Sequence, residues 1–358
     1  GLRAGGQAVP VVARTTVPRC RCACRAAPGR TGAAAGRREE PQFVTGRWVR
    51  RVATALWNCV SCPVRPPQVA AHGWVRRVVA DVALLAVAGA WGLTFPLGKR
   101  VLEAMPPFTY LTLRFAMAAA VLLAWQRGRL RAAARIWTPG ALAGIVLFAG
   151  YAFQTVGLRV TTASKAGFIT GLSVALVPLL AALWLRRRPQ PGVVVGIVAA
   201  TAGLALLSLV EPGGPNPGDV LVLACAVCFA LQIVMIDRLA AGAPAPVLAT
   251  VQVLPVVALS AAAALLERPL AALAVAGVAV YALVGFMALT GTVAALVVQG
   301  WAQRFTSPAH AGLMFAFEPV AAAGTAAVLL GEALAARQAW GAGLILAGIV
   351  IAEMRRDA

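Results

Sequence analysis

The chain has 358 residues and a formal net charge of +20, with 60% hydrophobic and only 12% charged residues. Soluble domains carry about 25% charged and about 45 to 50% apolar residues, and disordered chains are poorer still in apolar side chains, so both classes are excluded for most of this length. A mean hydropathy of +0.82 makes lipid the natural solvent of this polypeptide.

An isoelectric point near 11.5 raises the question of nucleic acid, and the placement of the charge answers it. Residues 1–75 hold 12 of the 32 basic and 2 of the 12 acidic side chains, so the net charge divides equally between this segment and the remainder. Neither part has a basic helix with interleaved aromatics or a zinc-finger spacing, and no nucleic-acid partner is expected. On a multispanning protein, positive charge collects in cytoplasmic loops.

In chain order, the first segment, 1–75, is rich in Ala, Arg, Pro and Gly and has no lasting apolar period. It reads as a disordered extension that cannot bury a core. Cys59 and Cys62 have the spacing of half a zinc site or a redox pair, but no second ligand pair follows, so neither metal nor cofactor is expected. The Arg-rich, acid-poor bias fits a transit peptide without its usual serines, and equally an upstream extension translated from a GC-rich gene. Whether 1–75 belongs to the native protein stays open.

From about Val78 the gaps between charges become long enough to cross a bilayer, which takes about 20 apolar residues at a rise of 1.5 Å each. Proline and glycine punctuation divides this region into ten helices, near 79–97, 108–126, 139–157, 164–185, 192–209, 219–237, 246–266, 274–298, 307–330 and 338–353. With the amino end in the cytoplasm, thirteen basic residues fall inside, among them Arg127, Arg129, Arg131, Arg135 and Arg186 to Arg188. Six fall outside: Lys99, Arg100, Arg159, Lys165, Arg268 and Arg337. The positive-inside rule then places both termini in the cytoplasm, which an even number of spans requires.

A shift of 145 residues lays 154–168 on 299–313, matching Gln154 with Gln299, Arg159 with Arg304, Thr161 with Thr306, Ala166 with Ala311 and Gly167 with Gly312. The expected fold is therefore an all-α integral membrane protein of ten transmembrane helices, with a first five-helix repeat at 78–210 and a second at 218–353. Five crossings are an odd number, so the second copy is inverted relative to the first, an architecture found in many secondary transporters.

The segments AWGLTFPLGK (90–99), PPFTYLTLRF (106–115) and GYAFQTVGLRVTTASKAGFITGL (150–172) resemble the EamA type of the drug/metabolite transporter superfamily. So do GDVLVLACAVCFALQIVMIDR (218–238) and the run from Gln299 through Glu318-Pro319 to Gly331-Glu332. The resemblance covers about 80–353. It implies two five-helix repeats around a central cavity and movement of small metabolites, often export of amino acids or related compounds. The first half departs from the pattern. Arg186, Arg187 and Arg188 stand where the family commonly has Gly-Glu, and Val177-Pro178 stands where the second half has Glu318-Pro319.

Glu318 falls near the middle of its expected helix, about 15 Å from either interface. A carboxylate at that depth costs roughly 2.5 to 3.5 kcal/mol on insertion scales, so it must face a cavity, meet a cation or take up a proton. It is either a coupling residue or a carboxyl bonded to neighbouring helices beside a proline kink. Arg114 cannot lose its proton, and pairs internally, with Glu318 for instance, snorkels outward, or captures an anionic group of the substrate. Gln154, Gln232, Gln252 and Gln299 are amides within spans, with Trp91 and Tyr151 among the aromatics near them. Together they form the mixture of a small-molecule pocket for a neutral-to-zwitterionic, partly apolar cargo, or singly serve as interhelical bonds and interfacial belts. Lys165 at the outer mouth is a flanking charge or a substrate-attracting one. His310 reads as a loop histidine, and no metal site is expected.

Gly140-x-x-x-Gly144, Gly167-x-x-x-Gly171 and Gly192-x-x-x-Gly196 read as packing signals, and Cys225-x-x-Cys228 as a pair of small apolar residues. There is no phosphate-binding loop, no His-Glu-x-x-His and no Gly-x-Ser-x-Gly. The expectation is a non-enzymatic secondary carrier of the bacterial inner membrane, with a small organic metabolite as substrate and the lipid bilayer as its partner. It exports, with protons as a possible coupling ion. A passive channel or a membrane sensor is the alternative, ahead of a membrane-embedded enzyme, and homodimerisation stays open.

Overall fold

The computed structural model describes residues 74–126, 136–161, 163–185, 189–208, 216–330 and 336–354, all within the unit Val49–Ala358. The expected extension, apart from its last two residues, and the loop arginines at 127–135, 186–188 and 355–356 lie outside these residues.

The first half comprises α1 (Trp74–Ala104), α2 (Pro107–Gln126), α3 (Trp137–Val160), α4 (Ala163–Gly171), α5 (Ser173–Leu185) and α6 (Pro191–Ser208). The second comprises α7 (Pro217–Ala240), α8 (Ala245–Ala264), the short α9 (Pro269–Val275), α10 (Val278–Ala288), a π-helical turn (Leu289–Ala294) and α11 (Ala295–Ala302). It closes with α12 (Pro308–Phe315), α13 (Phe317–Leu330) and α14 (Ala336–Met354). Each of the ten expected segments coincides with helix. Among the described residues, seven helices are long and apolar enough to cross a membrane. Pro191–Leu206 and Ala336–Ala352 are apolar but shorter.

Proline opens α2, α6, α7, α9 and α12, where its missing N–H is one that the first helical turn leaves unbonded anyway. At α7 the Asn216 side chain accepts from Asp219 N at 3.1 Å, and the Asp219 carboxylate accepts from Asn216 N at 3.0 Å. This reciprocal cap gives Asp219 a structural task. Trp74 and Val75, expected to be disordered, already belong to α1.

Three expected helices are interrupted, the one at 274–298 between α9 and α10 at Ala276 and Gly277. The stretch expected at 164–185 breaks between α4 and α5 at Leu172, and the one at 307–330 breaks between α12 and α13 at Ala316. Pro319 has no N–H to return to Phe315, so the ladder cannot run through that point and the chain restarts.

Close backbone approach sets the helix pairs. A Cβ on Gly196 would meet Gly348 O at 2.5 Å, and one on Gly203 would meet Gly341 O at 2.5 Å, so α6 and α14 pack glycine to glycine. Helix α3 packs on α7 and α8, α2 on α8, and α1 on α13. Gly144 lies against the backbone oxygen of Gln252, whereas Gly167 has nothing within 4 Å of where a Cβ would be, so the second of the three expected glycine pairs is only half a packing device.

One buried cluster gathers Leu84, Leu204, Leu313 and Ile345, and another Phe115, Leu122, Met287 and Leu296. Leu179, Leu183, Val198 and Val220 are exposed, a disposition that hydrocarbon solvent does not penalise.

Candidate substrate-binding site

A cavity opens among helices of both halves, with about 550 Å³ of empty space, open solvent included. Helix α1 supplies Trp91, Thr94 and Phe95; α3 supplies Leu147, Tyr151 and Gln154; the α4–α5 break supplies Thr170 and Ser173. From the second half come Phe229, Gln232 and Ile233 on α7, Leu296 and Gln299 on α11, and Phe315 and Glu318 on either side of the α12–α13 break.

The shift of 145 residues reaches further than the matched segment. It carries Tyr151 to Leu296, Gln154 to Gln299, Thr170 to Phe315 and Ser173 to Glu318, and all eight residues line the cavity. In this register Ser173, and not Val177, occupies the first-half position of Glu318. The expectation placed Val177-Pro178 opposite Glu318-Pro319. The wall aligns four residues away, at the helix breaks.

The expected amides divide. Gln154, Gln232 and Gln299 line the cavity, while Gln252 stands behind the wall. Gln299 Nε2 donates to Gln232 Oε1 at 3.1 Å, Gln232 Nε2 donates to Gln252 Oε1 at 2.9 Å, and Gln252 Nε2 donates to the Leu248 carbonyl at 3.1 Å. All three are nearly fully buried, so a continuous chain of bonds replaces the water these amides would otherwise require. Gln154 Nε2 lies 3.5 Å from Thr170 Oγ1.

Trp91 and Tyr151 are in the wall, and Arg114 is behind it. Arg114 Nε donates to Thr292 Oγ1 at 3.0 Å, Nη1 to Tyr110 Oη at 3.0 Å and Nη2 to Gly291 O at 3.2 Å. Its Cζ lies 5.2 Å from the Tyr151 ring centroid and 5.8 Å from that of Phe115. The internal ion pair with Glu318 is absent among the described residues. Hydroxyls, a carbonyl and two ring faces stabilise the guanidinium instead. The π-helical turn makes this geometry: it includes the Gly291 carbonyl and Thr292 side chain that accept from Arg114.

Glu318 is the second residue of α13, not the centre of an unbroken helix as expected. There the positive end of the helix dipole favours a carboxylate. Its oxygens have no hydrogen-bond partner among the described residues, and the side chain faces the cavity. Lys165 lies in α4, but its side chain is outside the described residues.

His310 is a correction: it sits in α12, 1% exposed, with Nε2 3.4 Å from Asp81 Oδ1 on α1. Ser307 caps this helix by accepting from His310 N. Sequence reasoning also missed Asp81, Thr94, Thr170, Ser173 and Phe229. Extending the 145-residue register past Phe168 finds Thr170 and Ser173. No comparable signal marks Asp81, which resembles any acid flanking a span.

Residues 78–209 and 216–354 each match the EamA-like transporter family. The chain belongs to this family. A protein of Archaeoglobus fulgidus described as an uncharacterized transporter is 34% identical over 283 residues, covering 78% of this chain and 88% of its own length. The uncharacterized transporter YvbV of Bacillus subtilis is 29% identical over 155 residues, covering 41% of this chain and 50% of its own. A crystal structure with 24% sequence identity superposes with a TM-score of 0.66, covering 78% of this chain and 98% of that one, and establishes likeness of fold alone. As an EamA-like protein with multiple apolar helices, the chain is a multi-pass membrane transporter.

Proposed function

We propose that this EamA-like protein is a secondary carrier that moves small organic metabolites by alternating access, with ten spans arranged as two inverted five-helix repeats. The observation that carries the reading is the cavity wall, to which the two halves contribute residues 145 positions apart in four pairs. Helix packing supports it. α2 meets α8 and α6 meets α14, each a pair of equivalent helices, while α1 on α13 is mirrored by α7 on α4 and α5. A pair of related bundles meeting at such a wall has two equivalent ways to rock, exposing the site to one side and then the other.

The proposed setting is the bacterial cytoplasmic membrane with both termini in the cytoplasm, supported by the loop arginines. Export of amino acids or related compounds follows the family tendency. Glu318, in the cavity wall and at a helix start, is the proposed proton-coupling residue. Tyr151, Trp91 and the Gln154, Gln232 and Gln299 amides are proposed to contact the cargo.

Purified protein in liposomes tests the carrier directly. A carrier gives saturating uptake and counterflow, whereas a channel passes solute without saturation. Cysteines at positions 129 and 188 are expected to label from the same side as both termini; labelling from opposite sides defeats the inverted arrangement.

A further inference from the structure

We infer that the cavity recognises its cargo through a protonated amine, so that its ligands are small organic ammonium compounds with an aromatic or aliphatic body. The inference rests on the reading of this cavity as the cargo site and names the class of cargo.

The polarity of the amide chain carries the argument. The Leu248 carbonyl only accepts, so the Gln252 group that reaches it at 3.1 Å must be the amide nitrogen. Gln252 then turns its oxygen to Gln232, which must answer with its own nitrogen and turn its oxygen to Gln299. Reversing any one amide sets oxygen against oxygen or NH₂ against NH₂ in a buried place, at the cost of an unsatisfied group. The chain therefore ends in the cavity wall as Gln299 Oε1, an acceptor without a hydrogen bond among the described residues. A backbone oxygen two side chains away fixes what Gln299 offers to a ligand.

The rest of the wall has the same sense. Among the described lining residues Glu318 is the one acidic or basic side chain, and it too has no hydrogen-bond partner there. Trp91 Nε1, a group that can only donate, is already engaged by the Gly291 carbonyl at 2.9 Å. The Arg114 guanidinium is bonded to Tyr110, Thr292 and Gly291 and does not line the cavity. The hydroxyls of Thr94, Tyr151, Thr170 and Ser173 and the Gln154 amide donate or accept and select neither sign. Trp91, Phe95, Tyr151, Phe229 and Phe315 add ring faces, which attract cations. An ammonium group brings three donors and no acceptor, the complement of this wall. A carboxylate meets Glu318 and an outward-facing amide oxygen.

Titration of the detergent-purified full chain at neutral pH with phenethylamine, 3-phenylpropionate and 3-phenylpropanol tests the inference, since the three share a body and differ in the head group. Phenethylamine is expected to bind about tenfold or more tighter than either of the others. Gln299→Met should erase that preference, lowering the affinity for phenethylamine by more than that for 3-phenylpropanol. Gln252→Met, outside the wall, should weaken the preference too, because Gln232 and Gln299 are then free to turn; a purely structural Gln252 would lower all three affinities together. Glu318→Gln should act as Gln299→Met does, and if it melts too low to titrate, the Gln299 and Gln252 variants decide. Equal or tighter binding of 3-phenylpropionate, or binding of none of the three, overturns the inference. Flux in liposomes separates the two claims. Saturable transport of 3-phenylpropionate alone leaves the carrier standing and removes the ammonium site, while phenethylamine binding without saturable flux does the reverse.

Discussion

Trp91 Nε1 and Arg114 Nη2 converge on one acceptor, the Gly291 carbonyl oxygen, at 2.9 and 3.2 Å. A ring in the cavity wall and a buried guanidinium are thus tied to the same peptide of the π-helical turn. A Cβ on Gly291 would lie 2.9 Å from both Arg114 Nη2 and Thr94 Cγ2. Gly291→Ala should therefore displace Arg114 and the Trp91 side of the wall together, lowering both the melting temperature in detergent and ligand affinity. A variant that loses affinity while melting like the parent would show that the two are not coupled.

Thr292 supplies the acceptor for Arg114 Nε. Thr292→Val keeps the shape and removes the oxygen, so a buried charged donor goes unsatisfied at a cost of about 1 to 3 kcal/mol. Thr292→Ser should recover most of that stability, as measured by thermal unfolding. Exchanging charges between Arg114 and Glu318 should rescue nothing, because the two share no bond among the described residues.

Glu318→Gln keeps the size of the side chain and its place at the start of α13 but cannot carry a proton. The expected result in liposomes is loss of flux driven by a pH gradient, with exchange retained when substrate is saturating. Unchanged pH-driven flux would remove Glu318 from coupling.

Asp81 and His310 join α1 to α12 across 3.4 Å in a site only 8% and 2% exposed. A double-mutant cycle with Asp81→Asn and His310→Gln should give a coupling of about 0.5 to 3 kcal/mol in thermal unfolding. Strict additivity would make the contact incidental.

Two glycines that look alike in sequence should behave oppositely. Gly167→Ala fills open space within α4 and should stabilise by about 0.5 to 1 kcal/mol through the better helix former. Gly144→Ala drives a methyl into the backbone of Gln252 and should destabilise. Since Gln252 anchors the amide chain, the same variant should reduce ligand affinity.

The Gly167 and Gly144 contrast shows where sequence reasoning stops. Spacing puts glycines on one helix face, but whether another backbone lies against that face depends on a helix more than a hundred residues away. The helices themselves, the duplication and the membrane were legible, because each rests on local composition, on proline and glycine punctuation, or on a repeat internal to the chain. Glu318, Gln154 and Gln299 were likewise conspicuous as polar groups in apolar runs.

Arg114 and Gln252 were equally conspicuous and lie behind the wall, while Ser173 was inconspicuous and lies in it. Depth in the bilayer can be counted along a chain. Which way a side chain points depends on the rotation of each helix against its neighbours, and that rotation is set by contacts such as Gly144 on Gln252 and Gly196 on Gly348. The amino-acid order fixed that polar groups would be buried here, and tertiary packing alone decided which of them bond to one another and which face the cavity.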